Sequence, residues 1–207
     1  MAQKFKAIVK EIISLSSTAK AIRFATNEKI GFLPGQFLMF EIEIDNKIEK
    51  RAFSISSSPD EKLIEITVKK TEKGLVSTYL VDNSRVGDKF SISEAKGVFI
   101  LDINSNNNIL FLAAGSGIAP IMSMIRFLNK VKTKINSHLI YSNKTQKNIL
   151  WKDEIESISK ENKSFSYEFI FTQDQNNKKP RINEDNLKKF INNKTNFYIC
   201  GPGEFVK

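Results

Sequence analysis

A chain of 207 residues, 41% hydrophobic and 27% charged, is long enough for two compact domains of about 100 residues each and too apolar to be disordered. Its formal charge of +9 comes from scattered lysines rather than a basic cluster interleaved with aromatics, so it reads as a solvated basic surface and not as a nucleic-acid binder. One cysteine, Cys200, excludes an internal disulfide and an iron–sulfur cluster held by several thiolates of this chain, the single histidine, His138, cannot by itself build a metal site and none is expected, and the lack of a membrane-length apolar run or a signal-peptide core leads us to expect a cytoplasmic protein without a membrane span.

Residues 5–13 and 20–26 carry short apolar, β-branched runs that predict strands, and Leu33-Pro34-Gly35-Gln36 marks a turn after them. Residues 37–44 and 51–56 alternate, residues 63–68 are rich in β-branched side chains, and Asp45-Asn46 and Pro59-Asp60 supply the turns between. With a last strand at 90–93, this spacing predicts an N-terminal antiparallel six-stranded β-barrel over residues 1–103. Before that strand, residues 74–80 read as a loop opening into a short helix. Its amino end either offers free N–H groups to an anion or belongs to a helix that merely crosses the barrel mouth.

The apolar-free stretch at 104–108 reads as an exposed linker or turn, after which the pattern changes. Residues 109–114 form a continuous apolar run, as for a strand buried on both faces of a parallel sheet. Further strands are predicted at 138–141, 166–171 and 197–200, and helices through Ile121 to Leu128, at 149–158 and at 183–191. This alternation predicts a C-terminal α/β domain with a parallel sheet over residues 104–207. His138 is read as a packed or surface histidine.

Three stretches carry candidate chemistry. Residues 51–59, Arg-Ala-Phe-Ser-Ile-Ser-Ser-Ser-Pro, place a planar cation, an aromatic ring and hydroxyls at a strand end, which suits either a nucleotide-type cofactor or an ordinary Ser-rich turn. Gly115-Ser116-Gly117-Ile118-Ala119-Pro120 sets a glycine pair between a buried strand and a helix. It lacks the third glycine of the usual fingerprint, so a dinucleotide loop and a packing turn both fit. Cys200-Gly201-Pro202 follows the final strand, at the edge where open α/β sheets bind ligands; a buried, inert cysteine is the alternative.

In order and spacing, Pro34-Gly35-Gln36-Phe37, Arg51-Ala52-Phe53-Ser54, Gly74-Leu75-Val76-Ser77, residues 115–120 and Cys200-Gly201-Pro202 make the chain resemble the ferredoxin-NADP(H) reductase-like superfamily of flavoproteins over nearly its whole length. The resemblance implies that Arg51 pairs with the FAD pyrophosphate, Phe53 stacks on the flavin and Ser54 bonds near its N5, with Val68 and Lys69 bordering the cofactor. Gly74, Val76 and Ser77 would hold the phosphates. Gly115, Ser116, Gly117, Ile118, Ala119 and Pro120 would take the pyrophosphate of NADH or NADPH, and Cys200, Gly201 and Pro202 would flank the nicotinamide. Ser54 and Cys200 are thus the candidate catalytic residues. The implied activity is an NAD(P)H-dependent oxidoreductase that feeds a separate one-electron carrier such as ferredoxin, flavodoxin or an oxygenase component. A free-flavin reductase and a non-catalytic electron-transfer or regulatory subunit are the alternatives. Phe53 stands where the family often has tyrosine, which keeps stacking and removes a hydroxyl, and the family usually continues through another helix and strand beyond Lys207. Lys144 or Arg181 would meet a 2′-phosphate, or both are solvated surface cations; the sequence does not choose between NADH and NADPH.

Overall fold

The computed structural model describes residues 3–104, 107–173, 181–190 and 194–207. The chain divides into two compact units, Met1–Leu101 with Met122–Phe127, and Asp102–Ile121 with Leu128–Lys207.

Unit 1 is an antiparallel sheet of six strands, β1 (Lys4–Ser16), β2 (Ala19–Thr26), β3 (Phe37–Ile44), β4 (Lys47–Ser54), β5 (Ile64–Lys69) and β6 (Lys89–Ser93), in the order β4-β3-β6-β1-β2-β5. The edge strands meet where Ile55 bridges Ile66 and the Ser56 N–H donates to the Glu65 carbonyl, which closes the sheet into a barrel immediately after the Arg51–Ser54 stretch. Register shifts in β1 between Val9 and Glu11 and between Ser14 and Ser16 bend the long strand around that barrel.

Alternation supplies the core. Leu38, Phe40, Ile42 and Ile44 of β3 turn inward beside Phe5, Ala7 and Val9 of β1, Phe24 of β2, and Phe90 and Ile92 of β6. Each large apolar side chain so buried contributes about 1.5–3 kcal/mol. Helix α1 (Leu75–Asn83) adds Val76, Leu80 and Val81 to the same cluster.

Strand β4 starts four residues earlier than the alternation predicts. Asp45 and Asn46 both adopt left-handed φ, 51° and 59°, the geometry of a tight two-residue hairpin. That turn pairs residues 47–50 with β3 by backbone bonds although three of them are charged and the fourth, Ile48, is exposed.

Unit 2 is a four-stranded parallel sheet, β7 (Asn108–Ala114), β8 (Ser137–Asn143), β9 (Phe165–Phe171) and β10 (Thr195–Cys200), in the order β10-β7-β8-β9. Helices α2 (Ile118–Lys130), α3 (Lys152–Glu161), α4 (Glu184–Lys188) and α5 (Gly203–Val206) connect or follow the strands. Leu110, Leu112, Ile140 and Ile170 form a core cluster against Leu187, Phe190 and Phe205. Helix α3 begins at Lys152, not Ile149, because Trp151 is buried in a left-handed conformation (φ 59°) that no helix interior accepts. The end of the helix expected over 183–191 and the middle of the linker expected over 104–108 lie outside the described residues.

Candidate functional site

In unit 1 the antiparallel register sets the geometry. Arg51 lies opposite Phe40 and Phe53 opposite Leu38, so Arg51 and Phe53 share the sheet face that is buried on β3. On β4 that face is exposed at Lys47 and Arg51 and half-buried at Glu49 and Phe53, and the exposed Arg51 guanidinium donates to the Lys50 carbonyl at 3.3 Å. Phe53 is half-buried, its ring edge-on to Phe40 with centroids 5.5 Å apart and planes at 87°. Phe40 in turn meets Phe24 edge-on at 5.6 Å, so the core fixes the orientation of Phe53. Ser54 falls on the alternate face, opposite Phe37, and is half-buried. Strand alternation thus joins Arg51 to Phe53 and separates Ser54 from both.

Gly74 caps α1 without a side-chain bond, and the helix has no acidic residue in its first turn, so its amino-terminal N–H groups face outward with the positive end of the dipole. Ser77 Oγ donates to the Gly74 carbonyl (3.2 Å) and accepts from the Thr71 N–H (3.3 Å), which holds the loop against the helix. A Cβ at Gly74 would collide with the Thr71 and Ser77 hydroxyls, so only glycine lets this loop close so tightly. An open groove of about 650 Å³ runs from Ile44 and Asp45, at the turn of the β3–β4 hairpin, to Gly74, Leu75 and Tyr79. It joins that turn to the amino end of α1, and Arg51, Phe53 and Ser54 do not line it. Val68 and Val76 are buried in the barrel core, so they can offer a ligand only backbone; Lys69, half-buried, ends β5 opposite Ala19.

In unit 2 the chain runs outward through β7, β8 and β9 and returns to the other side of β7 for β10, which makes the β7–β10 boundary a topological switch point. Both glycine motifs sit there, at the carboxyl ends of those two strands. They pack on each other: a Cβ on Gly117 would strike the Cys200 carbonyl, and one on Gly201 would approach Ala114 Cβ to 2.9 Å. Gly115 takes φ +54° with open space beside it, and its carbonyl accepts from the buried Tyr141 hydroxyl at 2.8 Å. Ser116 is exposed, Ile118, Ala119 and Pro120 turn their side chains inward, and α2 has no acid in its first turn. The turn thus offers a ligand backbone and helix dipole rather than side chains. Gly201 and Pro202 lead from β10 into α5.

Cys200 is half-buried, and burial pushes its thiol above the ordinary cysteine range. It is therefore a neutral thiol near pH 7, able to pack or donate weakly and not to act as a thiolate. The end of β8 buries a polar side chain. Asn143 is only 5% exposed and both its amide atoms lack a hydrogen-bond partner, although the side chain lies near enough to the Tyr141 hydroxyl to oppose the rise that burial imposes on that phenol. Lys144, next to it, and Arg181 are exposed.

His138 belongs to the opposite, amino-terminal edge of the sheet. It stacks on Phe190 (4.2 Å, 22°), its Nδ1 lies 2.7 Å from Ser166 Oγ, and burial, aided by the Lys189 charge, pushes its pKa down to about 4. Among the described residues no group of three or more His, Cys, Asp or Glu could hold a metal, and no helix is long and apolar enough to cross a membrane.

The chain is similar to known oxidoreductases in both of its parts. Residues 6–119 match the family model described as the oxidoreductase FAD-binding domain, and residues 111–207 match the oxidoreductase NAD-binding domain. The glycine betaine monooxygenase reductase subunit of Pseudomonas aeruginosa (strain UCBPP-PA14) is 33% identical over 140 residues, covering 67% of this chain and 38% of that protein. Flavohemoprotein A of Dictyostelium discoideum is 29% identical over 192 residues, covering 84% of this chain and 47% of its own length, so the chain spans less than half of either relative. Among solved structures, the flavohem-like FAD/NAD binding domain of nitric oxide dioxygenase from Vibrio cholerae superposes with a TM-score of 0.86 at 21% identity, over 98% of this chain and 89% of that one.

Proposed function

The chain belongs to the ferredoxin reductase-like superfamily of oxidoreductases that bind FAD and a nicotinamide dinucleotide, and from that premise we propose that it takes hydride from NADH or NADPH onto FAD and passes electrons to a separate carrier protein. The observation that carries this reading is that one chain builds an arginine–aromatic pair on an open barrel face and a double-glycine turn at a parallel-sheet switch point. We assign residues 1–103 to flavin binding and 104–207 to the dinucleotide.

Bound FAD supplies the acceptance of a hydride at N5 and the release of its electrons one at a time. The chain's own residues bind and orient. Arg51 offers a charge-assisted fork to the pyrophosphate, and the Val76 N–H and Ser77 add donors beside it, while Gly74, whose N–H is spent on the Thr71 carbonyl, keeps the approach clear of a side chain. Phe53, held by Phe40, supplies a flat face for the ring, Ser54 offers a hydroxyl near N5, and Val68 and Lys69 border the cofactor. The turn over residues 115–120 meets the dinucleotide pyrophosphate with N–H groups, and Cys200, Gly201 and Pro202 flank the nicotinamide with an uncharged thiol and close backbone.

Similarity to a monooxygenase reductase subunit, and to the phenol hydroxylase P5 protein of Acinetobacter pittii, supports an oxygenase component as the acceptor, and a net charge of +9 suits an acidic partner. The test is the visible spectrum of the purified protein given FAD, before and after anaerobic NADH and then NADPH. Flavin bands that bleach with one nucleotide support the reading and name the donor. A colourless protein that recruits no FAD overturns it.

A further inference from the structure

Beside the barrel seam lies a carboxylate that the binding of cofactor does not explain. Glu65 is 0% exposed. Its Oε1 accepts from Arg126 Nη1 at 2.6 Å and from Ser56 Oγ at 2.7 Å, and its Oε2 accepts from Arg23 Nε at 2.8 Å. Arg126, itself 8% exposed, belongs to the α2 segment Met122–Phe127 that packs as part of unit 1, and the same Nη1 donates to the Ser56 carbonyl at 2.8 Å. Ser123, one turn earlier, donates to the Ser57 carbonyl at 2.6 Å. Ser57 Oγ accepts from the Glu65 N–H at 3.0 Å, and Ser56 Oγ accepts from Thr67 Oγ1 at 2.9 Å.

We infer that Glu65 and Arg126 are positioning residues that clamp the segment 55–57 and thereby fix how Phe53 and Ser54 are presented to the flavin. The inference rests on the reading of unit 1 as the flavin site. The Ile55 N–H is held by the Gln36 carbonyl, the Ser56 N–H, carbonyl and hydroxyl and the Ser57 carbonyl and hydroxyl are each bonded, and all of these bonds run to β5, to the Gln36 turn or to residues 122–127. With both flanks fixed, the backbone two residues past Ser54 has no rotation left that would swing the strand end.

Stability is a poor reason for such a clamp. Two buried charges lose their hydration, and an apolar pair of similar shape is often as stable or more so. Directional bonds do what apolar packing does not: they set a single geometry for the chain they hold. A misplacement of about 1 Å at a reacting centre can cost on the order of 100-fold in rate.

Arg126→Met alone would leave the buried Glu65 carboxylate with Arg23 and Ser56 but without its second cation and would destabilise the barrel, so the test uses the paired variant Glu65→Leu with Arg126→Met, and Ser123→Ala, which deletes one clamp bond without touching a charge. Three readouts are taken beside the wild type: the visible bands of bound FAD, amide hydrogen exchange over residues 54–58, and anaerobic flavin reduction against nucleotide concentration. The paired variant should fold and hold FAD with shifted bands and faster exchange, and reduce it about tenfold or more slowly at saturating nucleotide with unchanged nucleotide affinity. Ser123→Ala should move all three the same way by less. Variants whose bands, exchange and saturating rate match the wild type overturn the inference and leave the flavin reading standing. If the paired variant fails to fold, Ser123→Ala decides by the same criteria. A wild type that recruits no FAD overturns both.

Discussion

The two glycine-marked edges of this protein solve ligand binding by opposite means. On the barrel, the groups that face the open side of β4 are side chains, a fork-shaped cation at Arg51 and a ring at Phe53, on an edge strand whose ladder bonds run to β3 alone. At the switch point of the parallel sheet, the side chains of Ile118, Ala119 and Pro120 are buried, Gly115 leaves its backbone open, and Gly117 lets the turn pack on the Cys200 carbonyl. The difference follows from secondary structure. A strand turns its side chains alternately to two faces and, at a sheet edge, bonds only alternate backbone groups to its neighbour, whereas a helix amino end gathers several unpaired N–H groups at one point.

That contrast predicts which substitutions matter at each edge. The largest effect belongs to adding bulk where backbone is the binding surface. Gly117→Val would drive a branched side chain into the Cys200 carbonyl, so nucleotide binding measured by titration with NADH or NADPH should fall by more than about 100-fold, about 2.7 kcal/mol, while FAD is retained. Ser116→Ala, which removes only an exposed hydroxyl, should leave that titration unchanged; loss in the serine variant would show that this edge also reads with side chains.

At the barrel edge, removing a side chain should be the damaging change. Arg51→Ala loses a charge-assisted contact of about 1.5–3 kcal/mol, so the FAD dissociation constant should rise roughly 10- to 100-fold while the unfolding midpoint stays put, since the guanidinium is exposed. An unchanged flavin content after gel filtration would break the assignment.

The smallest effect tests the far edge of unit 2, where His138 touches neither set of residues. The folded imidazole titrates near 4 and the unfolded one near 6.5, so between those values the unfolded chain binds the extra proton. The stability it contributes is complete above about 6.5 and is lost as pH falls towards 4. In His138→Gln the thermal midpoint should depend less steeply on pH across that window, with ligand binding untouched.

Much of this was legible in the sequence. Residues 37–44 alternate in the sequence and form β3 with those bounds, and the apolar run 109–114 is the buried strand β7, because each pattern has one burial solution. The Lys47–Lys50 half of β4 was not legible: a hairpin turn with two left-handed residues imposes it, against the side-chain pattern. The late start of α3 was hidden for a similar reason, since the left-handed conformation of Trp151 is stabilised by the burial of its indole and not by any local preference.

By itself the sequence determined the inventory and its order: a cation, a ring and a hydroxyl at 51–54, a short helix opening at 74, a glycine pair at 115 and 117, a Cys-Gly-Pro turn at 200, and a barrel followed by a parallel sheet. These are local matters of residue type and period. Only the tertiary structure decided which of them meet. Register put Arg51 and Phe53 on one face and Ser54 on the other, strand order brought Gly117 against Cys200, and barrel closure buried Ser56 and Ser57 on Glu65 and Arg126 instead of leaving them as an exposed serine turn. Contacts between residues up to 83 positions apart depend on pairing and packing across the whole unit, which no window of the sequence contains.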